Sequence, residues 1–299
     1  MFEWAYDGIN GSIPRNIGPE CAGYLSPRYR LFETLGVSVL IIYLFIKGFK
    51  SINLPKNVKY VNQDRTGKKA LLIFMSLILG MEIGFKLTSR TFVYILNPCH
   101  ITTAIQLYLL AAKPSSIVTA IFRLQLNFLN GPVLAYVFPE VESRKLLADQ
   151  AMYWLQHGMM VVIPYYLMRI GGVYNIEPLS DFSWCILAYG FNLAYHWWIL
   201  QLVALPVQVN LSHILCPALS DPFEGQFYRL AAVVHEGLLC PILAKLFCVI
   251  ANYFLTKFPP TRVKSSINHT IDHKFPQSES DEELQSRQKD RKNGEVHVE

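Results

Sequence analysis

About seven stretches of the chain are apolar almost without interruption, near 33–49, 69–88, 91–112, 116–138, 148–169, 182–205 and 227–256, and polar residues crowd between them. A helix that crosses a bilayer needs roughly 20 such residues. The pattern predicts an all-α, polytopic membrane protein with about seven transmembrane helices. The third stretch breaks its own rule, because Ile95-Leu96-Asn97-Pro98-Cys99-His100 sets an amide, a thiol and an imidazole among apolar neighbours. Polar groups are costly in hydrocarbon, so such a run marks a candidate functional site. Proline lacks an N–H and clashes with the carbonyl four residues back, here Tyr94, so Pro98 is expected to kink this helix.

Basic residues orient the spans. Lys47, Lys50, Lys56, Lys59, Arg65, Lys68 and Lys69 gather between the first two stretches. That excess places the loop in the cytoplasm, the N-terminus outside or lumenal, and the C-terminus inside. Counted from the outer side, Cys99 comes about eight residues into the third span and His157 about nine into the fifth, roughly 12–14 Å deep at the helical rise. His196, His235 and Asn130 fall near the same level, with Glu82 a little shallower. Cys99, Thr102, Thr103 and Gln106 recur at helical spacing, as do Cys185, Tyr189, Asn192 and His196, so each set forms a polar stripe facing the bundle interior. A water-accessible chamber open toward the outer leaflet follows, into which a lipid can lower an acyl ester.

Composition narrows the class further. Of 299 residues 52% are hydrophobic and 16% charged, and no stretch outside the spans is long enough to fold as a separate soluble domain. The chain divides into a lumenal segment 1–32, a membrane domain 33–256 and a tail 257–299. The tail is polar, mixed in charge and expected to be disordered, with Ser278 and Ser280 leading into Asp281-Glu282-Glu283, an acidic phosphorylation context. The net charge of +5 comes from loops, and no basic stripe with interleaved aromatics points to nucleic acid. Residues 1–30 lack the basic start and apolar core of a signal peptide, so the first helix is expected to act as the targeting signal. Asn10 and Asn210 each begin a glycosylation sequon, the second close to the bilayer. Cys21 and Cys216 both fall on the expected outer side, where an oxidising lumen permits a disulfide. Their pairing would pin the N-terminal segment over the chamber; the alternative is two free thiols.

Many of these residues also have a plainer reading. A lone intramembrane His glues helices together as readily as it does chemistry. Cys185, Cys240 and Cys248 read as small packing residues. Glu82 and Lys86, four apart, read as a pair near a helix end, Arg123 as a snorkelling side chain, and Glu236 as either a relay partner of His235 or a structural acceptor.

Several pieces of the chain, taken in order, resemble the transmembrane protein 164 family: Gly18-Pro19-Glu20-Cys21, Gly80-Met81-Glu82-Ile83-Gly84-Phe85-Lys86, Leu96-Asn97-Pro98-Cys99-His100, Leu129-Asn130-Gly131, Gln156-His157, Glu177-Pro178-Leu179-Ser180, and Cys216-Pro217-Ala218 through Asp221-Pro222-Phe223. The resemblance spans roughly residues 14–256. It implies an acyltransferase of the endoplasmic reticulum or another secretory membrane. Such an enzyme moves polyunsaturated chains from a phospholipid acyl donor to a lyso-ether phospholipid acceptor, without a cofactor, and so affects sensitivity to ferroptosis. The family is similar in architecture to the androgen-induced membrane hydrolases, which pair a Thr nucleophile with a His. On this chain Cys99 falls at the nucleophile and His157 at the base.

The residues supply their own reasons for that pair. Desolvation keeps a buried thiol protonated unless an imidazolium lies beside it. His157 matches Cys99 in depth and comes from another helix, whereas His100 is next in sequence and is expected to point about 100° away. Asn97, Asn130 or backbone N–H groups near Pro98 are candidates to hold an oxyanion, and His196 and His235 to orient the dyad. Two other classes remain open. Four histidines with Glu236 suit zinc in an intramembrane hydrolase, although no two share a helix at ligand spacing. A seven-span receptor or transporter would share the topology.

Overall fold

The computed structural model describes residues 2–54, 66–219 and 221–258. Lys56, Lys59 and Arg65 of the basic loop, and the tail beyond Phe258 with Ser278 and Ser280, lie outside the described residues. The described residues are mostly helical and contain no strand; an isolated antiparallel bridge joins Ile17 to Val209.

Each apolar stretch is helical, and local chemistry explains where most begin. Helix α1, Pro27–Ser51, starts at Pro27, whose missing N–H costs nothing in a first turn, and the Ser26 hydroxyl accepts the Tyr29 N–H at 3.3 Å. Helix α2 runs Thr66–Thr88, and α3 runs Pro98–Ala111. Helix α4, Ser116–Leu126, is capped by Ser115, and a short turn separates it from α5, Asn130–Val137. Helix α6 is Leu147–Ile170. Helix α7, Ser183–Ala194, passes through a π-helical stretch, Tyr195–Leu200, into α8, Gln201–Val207, and α9 is Tyr228–Lys257. The Asp181 carboxylate accepts the Ser183 N–H at 2.9 Å at the start of α7.

Among the described residues, four helical segments are long and apolar enough to cross a membrane: Pro27–Ser51, Thr66–Thr88, Ser116–Val137 and Tyr228–Lys257. Side chains such as Val39, Ile73, Leu202 and Val234 are exposed on the outside of the bundle, as lipid-facing positions should be. The protein is therefore a helical membrane protein with several candidate spans.

The third stretch departs from expectation. Pro98 does not kink a helix; it starts one. Residues Phe92–Leu96 form a separate 3-10 turn, Asn97 is extended, and α3 begins at Pro98. The residue before a proline is biased toward extended backbone, and proline suits the first helical position, so the chain breaks rather than bends.

Among the described residues, three apolar clusters hold the bundle. One joins α2, α3, α4 and α6 through Met75, Ile78, Leu109, Phe122, Ile163 and Leu167. A second joins α1 to α7 and its π-helical extension through Ile41, Leu44, Leu193 and Trp197. Here Gly48 and Gly190 permit close approach: a Cβ on Gly48 would lie 2.9 Å from that of Leu187. The third lies around a Cys21–Cys216 disulfide with Val93, Leu200, Val209 and Ile214. That bridge links the N-terminal segment to the loop after α8 across 195 residues. Asn210 is buried beneath it, donating to the carbonyls of Arg15 and Cys216 at 2.9 and 3.0 Å, which leaves its sequon amide fully engaged in the fold.

Candidate active site

A chamber of about 1610 Å³ opens among α3, α5, α6, the π-helical stretch, α9 and the N-terminal segment. Cys99, His100, Asn97, Asn130, His157, His196 and His235 all line it. Its volume exceeds the 300–1,000 Å³ of ordinary small-molecule sites. Cys185, Cys240 and Cys248 are buried elsewhere between helices.

Cys99 is the second residue of α3. The first-turn N–H groups of a helix have no partner within it, and the positive end of its dipole favours an anion there. The break at Pro98 thus sets the thiol at a helix N-terminus on the chamber wall.

His100 does not point away from the thiol. Its Nδ1 lies 3.3 Å from Cys99 Sγ, and its Nε2 lies 3.3 Å from Glu82 Oε2. The 100° between adjacent Cα positions is overcome because the ring nitrogen reaches back along the first turn. Glu82 is fully buried, and Lys86 Nζ reaches its Oε2 at 2.5 Å while Arg144 Nη1 and Nη2 reach the two oxygens at 2.7 and 3.2 Å. Asp149 pairs with Arg144 in turn. Sequence reasoning read Glu82 and Lys86 as a pair near a helix end and missed this network, because Arg144 arrives from a loop 62 residues away.

His157 faces the same thiol from α6. Its Nδ1 is 2.7 Å from the Tyr153 carbonyl, which can only accept, so in the neutral ring Nδ1 carries the proton and Nε2 the lone pair. Next to it, Gln156 Nε2 donates to Thr103 Oγ1 at 2.9 Å, and Thr103 Oγ1 donates to the Cys99 carbonyl at 2.8 Å. This relay ties the imidazole-bearing helix to the backbone of the thiol-bearing residue.

The other candidates stand further along the wall. His196 bonds the Asn192 carbonyl at 2.9 Å and Ser212 Oγ at 3.3 Å, while His235 stacks on Phe223 with its Nδ1 unpartnered. Their contacts are with these groups rather than with the thiol. Glu236 accepts from Asn192 Nδ2 at 2.5 Å, a structural acceptor. Asn97 keeps a buried Oδ1 without a partner, and Asn130 begins α5 at the chamber edge. Among the described residues no three His, Cys, Asp or Glu side chains converge as a metal-ligand set.

At the rim, His213 pairs with Glu140. Partial burial opposes both charges, but the mutual attraction outweighs it, raising His213 above its ordinary value and lowering Glu140 below its own.

Fold and site together define a helical membrane protein with a thiol and two imidazoles in a chamber of lipid size. The chain belongs to the TMEM164 family, whose model matches residues 24–247 and so contains Glu82, Cys99, His100 and His157. It is similar to a Transmembrane protein 164 homolog of Dictyostelium discoideum, 20% identical over 192 residues that make up 63% of this chain and 67% of that protein. No solved structure matches the chain.

Proposed function

We propose that the protein is an integral-membrane acyltransferase that carries acyl chains, polyunsaturated ones included, from a phospholipid to a lyso-ether phospholipid through a thioester on Cys99. The observation that carries this reading is the thiol itself, at a helix N-terminus, beside two imidazoles, on the wall of the chamber. A thiolate is the stronger nucleophile, and a neighbouring base produces it. His157, with Nε2 as its lone-pair nitrogen, is the general base and then the acid of the transfer. First-turn N–H groups of α3, with Asn97 or Asn130, hold the oxyanion.

The reading includes seven spans, the N-terminus lumenal and the tail cytoplasmic. The remaining helices are shorter or more polar than the four long spans, as suits walls that face a wet chamber rather than lipid. The Cys21–Cys216 bridge supports placing the N-terminal segment and the loop after α8 in an oxidising compartment.

The test compares Cys99→Ala, His157→Ala and the double variant in membranes at matched protein levels, scored by acyl transfer to a lyso-ether lipid. Groups that act as one unit are not additive, so each single change is expected to cost nearly as much as both. Full transfer by Cys99→Ala removes the covalent mechanism, and free fatty acid as the product in place of transferred chain makes the protein a hydrolase.

A further inference from the structure

The two imidazoles at Cys99 are held differently. His157 spends Nδ1 on a backbone carbonyl and has no carboxylate bonded to it. His100 bridges two reactive groups, with Nδ1 at the sulfur and Nε2 at Glu82, each 3.3 Å away. If Nε2 carries its proton toward the carboxylate, Nδ1 offers its lone pair to the thiol. The charge that arrives with the thiol proton is then balanced by Glu82. That carboxylate cannot turn aside, because Lys86 and Arg144 bind both its oxygens and Asp149 pairs with Arg144. An unpaired carboxylate buried this deeply is costly, and two cations bound to it offset that cost.

We propose that Cys99, His100 and Glu82 form a nucleophile, base and carboxylate triad in which His100 takes the thiol proton, and that His157 serves the acceptor hydroxyl instead. This deepens the acyl-transfer reading: it rests on the Cys99 thioester and moves the first proton transfer from His157 to His100. His100 is catalytic, since it touches the reacting sulfur; Glu82 is a positioning residue that acts through the ring.

The protons balance over two half-reactions. In the first, the Cys99 proton moves to His100 Nδ1 as sulfur bonds to the ester carbonyl carbon and the carbonyl oxygen takes up the electron pair. The C–O bond then breaks, the leaving oxygen takes the proton from His100, and a lysophospholipid departs from the acyl thioester. In the second, the acceptor hydroxyl gives its proton to His157 Nε2 while its oxygen attacks the thioester. The C–S bond breaks, and the proton passes from His157 to the sulfur. Two bases let the site receive an acceptor while the ring that served the donor is still held by Glu82.

The experiment follows the thiol without any lipid. Full-length protein in detergent is alkylated with iodoacetamide, and the Cys99 peptide is quantified over time. At neutral pH, His100→Gln and Glu82→Gln are each expected to slow alkylation about tenfold or more, the difference closing at alkaline pH where the thiol ionises unaided. His157→Gln is expected to change alkylation no more than about threefold, yet to abolish transfer to the acceptor. The other titratable groups facing the sulfur are Tyr153 and Tyr195. Unchanged alkylation in His100→Gln overturns the triad, as does equal slowing in His157→Gln. Glu82→Gln leaves Lys86 without its counter-charge and Arg144 with Asp149 alone; if it does not accumulate with its disulfide intact, His100→Gln decides. The unsubstituted protein gives a check that needs no variant: its alkylation rate is expected near its alkaline plateau already at neutral pH. A rate that climbs throughout, as for a free thiol, overturns the triad. Failure of the underlying reading shows separately, as full transfer by Cys99→Ala whatever the alkylation rates.

Discussion

Cys99 and Cys185 both lie beside ionisable side chains, but of opposite kinds: imidazoles at the first, a carboxylate at the second. Cys185, in α7, lies 3.5 Å from Glu177 Oε1, an oxygen that Lys245 Nζ also reaches at 2.7 Å. This thiol donates to the carboxylate and fastens the loop before α7 to the helix. Cys99 instead meets a ring that can become positive, and the carboxylate stands on the far side of that ring. Their surroundings differ as well, since Cys185 is buried in helix packing while Cys99 lines the chamber at a helix N-terminus.

The largest expected effect comes from removing each sulfur in turn. Cys99→Ala should lower acyl transfer by on the order of 10³-fold or more, because the proposed thioester cannot form without its sulfur. Cys185→Ala should keep transfer within about twofold and cost roughly 1 kcal/mol of stability, as an ordinary buried substitution does. A transfer assay beside a thermal melt separates the two, and comparable losses of activity would erase the distinction.

The third kind of sulfur sharpens the contrast, because Cys21 and Cys216 are spent on structure. Replacing both with Ser should cost about 2–5 kcal/mol, chiefly by freeing the unfolded chain across that long separation. The melt should fall much further than for Cys185→Ala. Transfer by protein that remains folded should survive.

The contrast also explains what could be read from the sequence. Five of the seven apolar stretches match helical segments within about three residues, since burial and lipid contact both select apolar side chains over such lengths, while α1 begins six residues earlier and α3 seven later than the pattern. Asn97, Cys99 and His157 stood out because polarity is rare in such stretches. Two things were hidden. Pro98 at the first position of a helix and Pro98 within one have the same neighbours in sequence, since Thr91 to Leu96 is apolar in either case. The role of Glu82 depends on His100 and Arg144, which reach it from 18 and 62 residues away, while its one local partner, Lys86, is what an ordinary helix pair would show. His100 was set aside on helix geometry that holds for Cβ positions but not for a ring nitrogen.

A smaller effect should follow from the relay between α3 and α6. Thr103→Val removes the hydroxyl that accepts from Gln156 and donates to the Cys99 carbonyl, a loss of about 1–1.5 kcal/mol per buried bond. If that relay positions His157 against the thiol, transfer should fall roughly tenfold while alkylation of Cys99, governed by His100, hardly changes. A parallel fall in both rates would mean the relay holds the thiol rather than the second imidazole.

The smallest expected effect lies at the rim, where an ionisable pair is open to water. His213 and Glu140 are 37% and 60% exposed, so solvent screens their attraction and the latch is worth under about 1 kcal/mol. Its sign with pH is nevertheless fixed. His213 is raised by Glu140 against partial burial, so its contribution is full below its unfolded value near 6.5 and is lost as pH rises through the higher folded value. Glu140 is lowered by His213, so its contribution is present above its unfolded value near 4.3 and is lost as pH falls through the lower folded value. The latch therefore holds between those two folded values, and nearer neutral pH it is the alkaline limit that opens it. Hydrogen exchange across residues 210–216 should quicken as pH is raised through that upper limit, beyond the intrinsic rise of exchange with pH. His213→Gln should remove the excess while leaving the exchange of α3 and the alkylation of Cys99 untouched. An excess that persists in His213→Gln would assign the loop's looseness to something other than this pair.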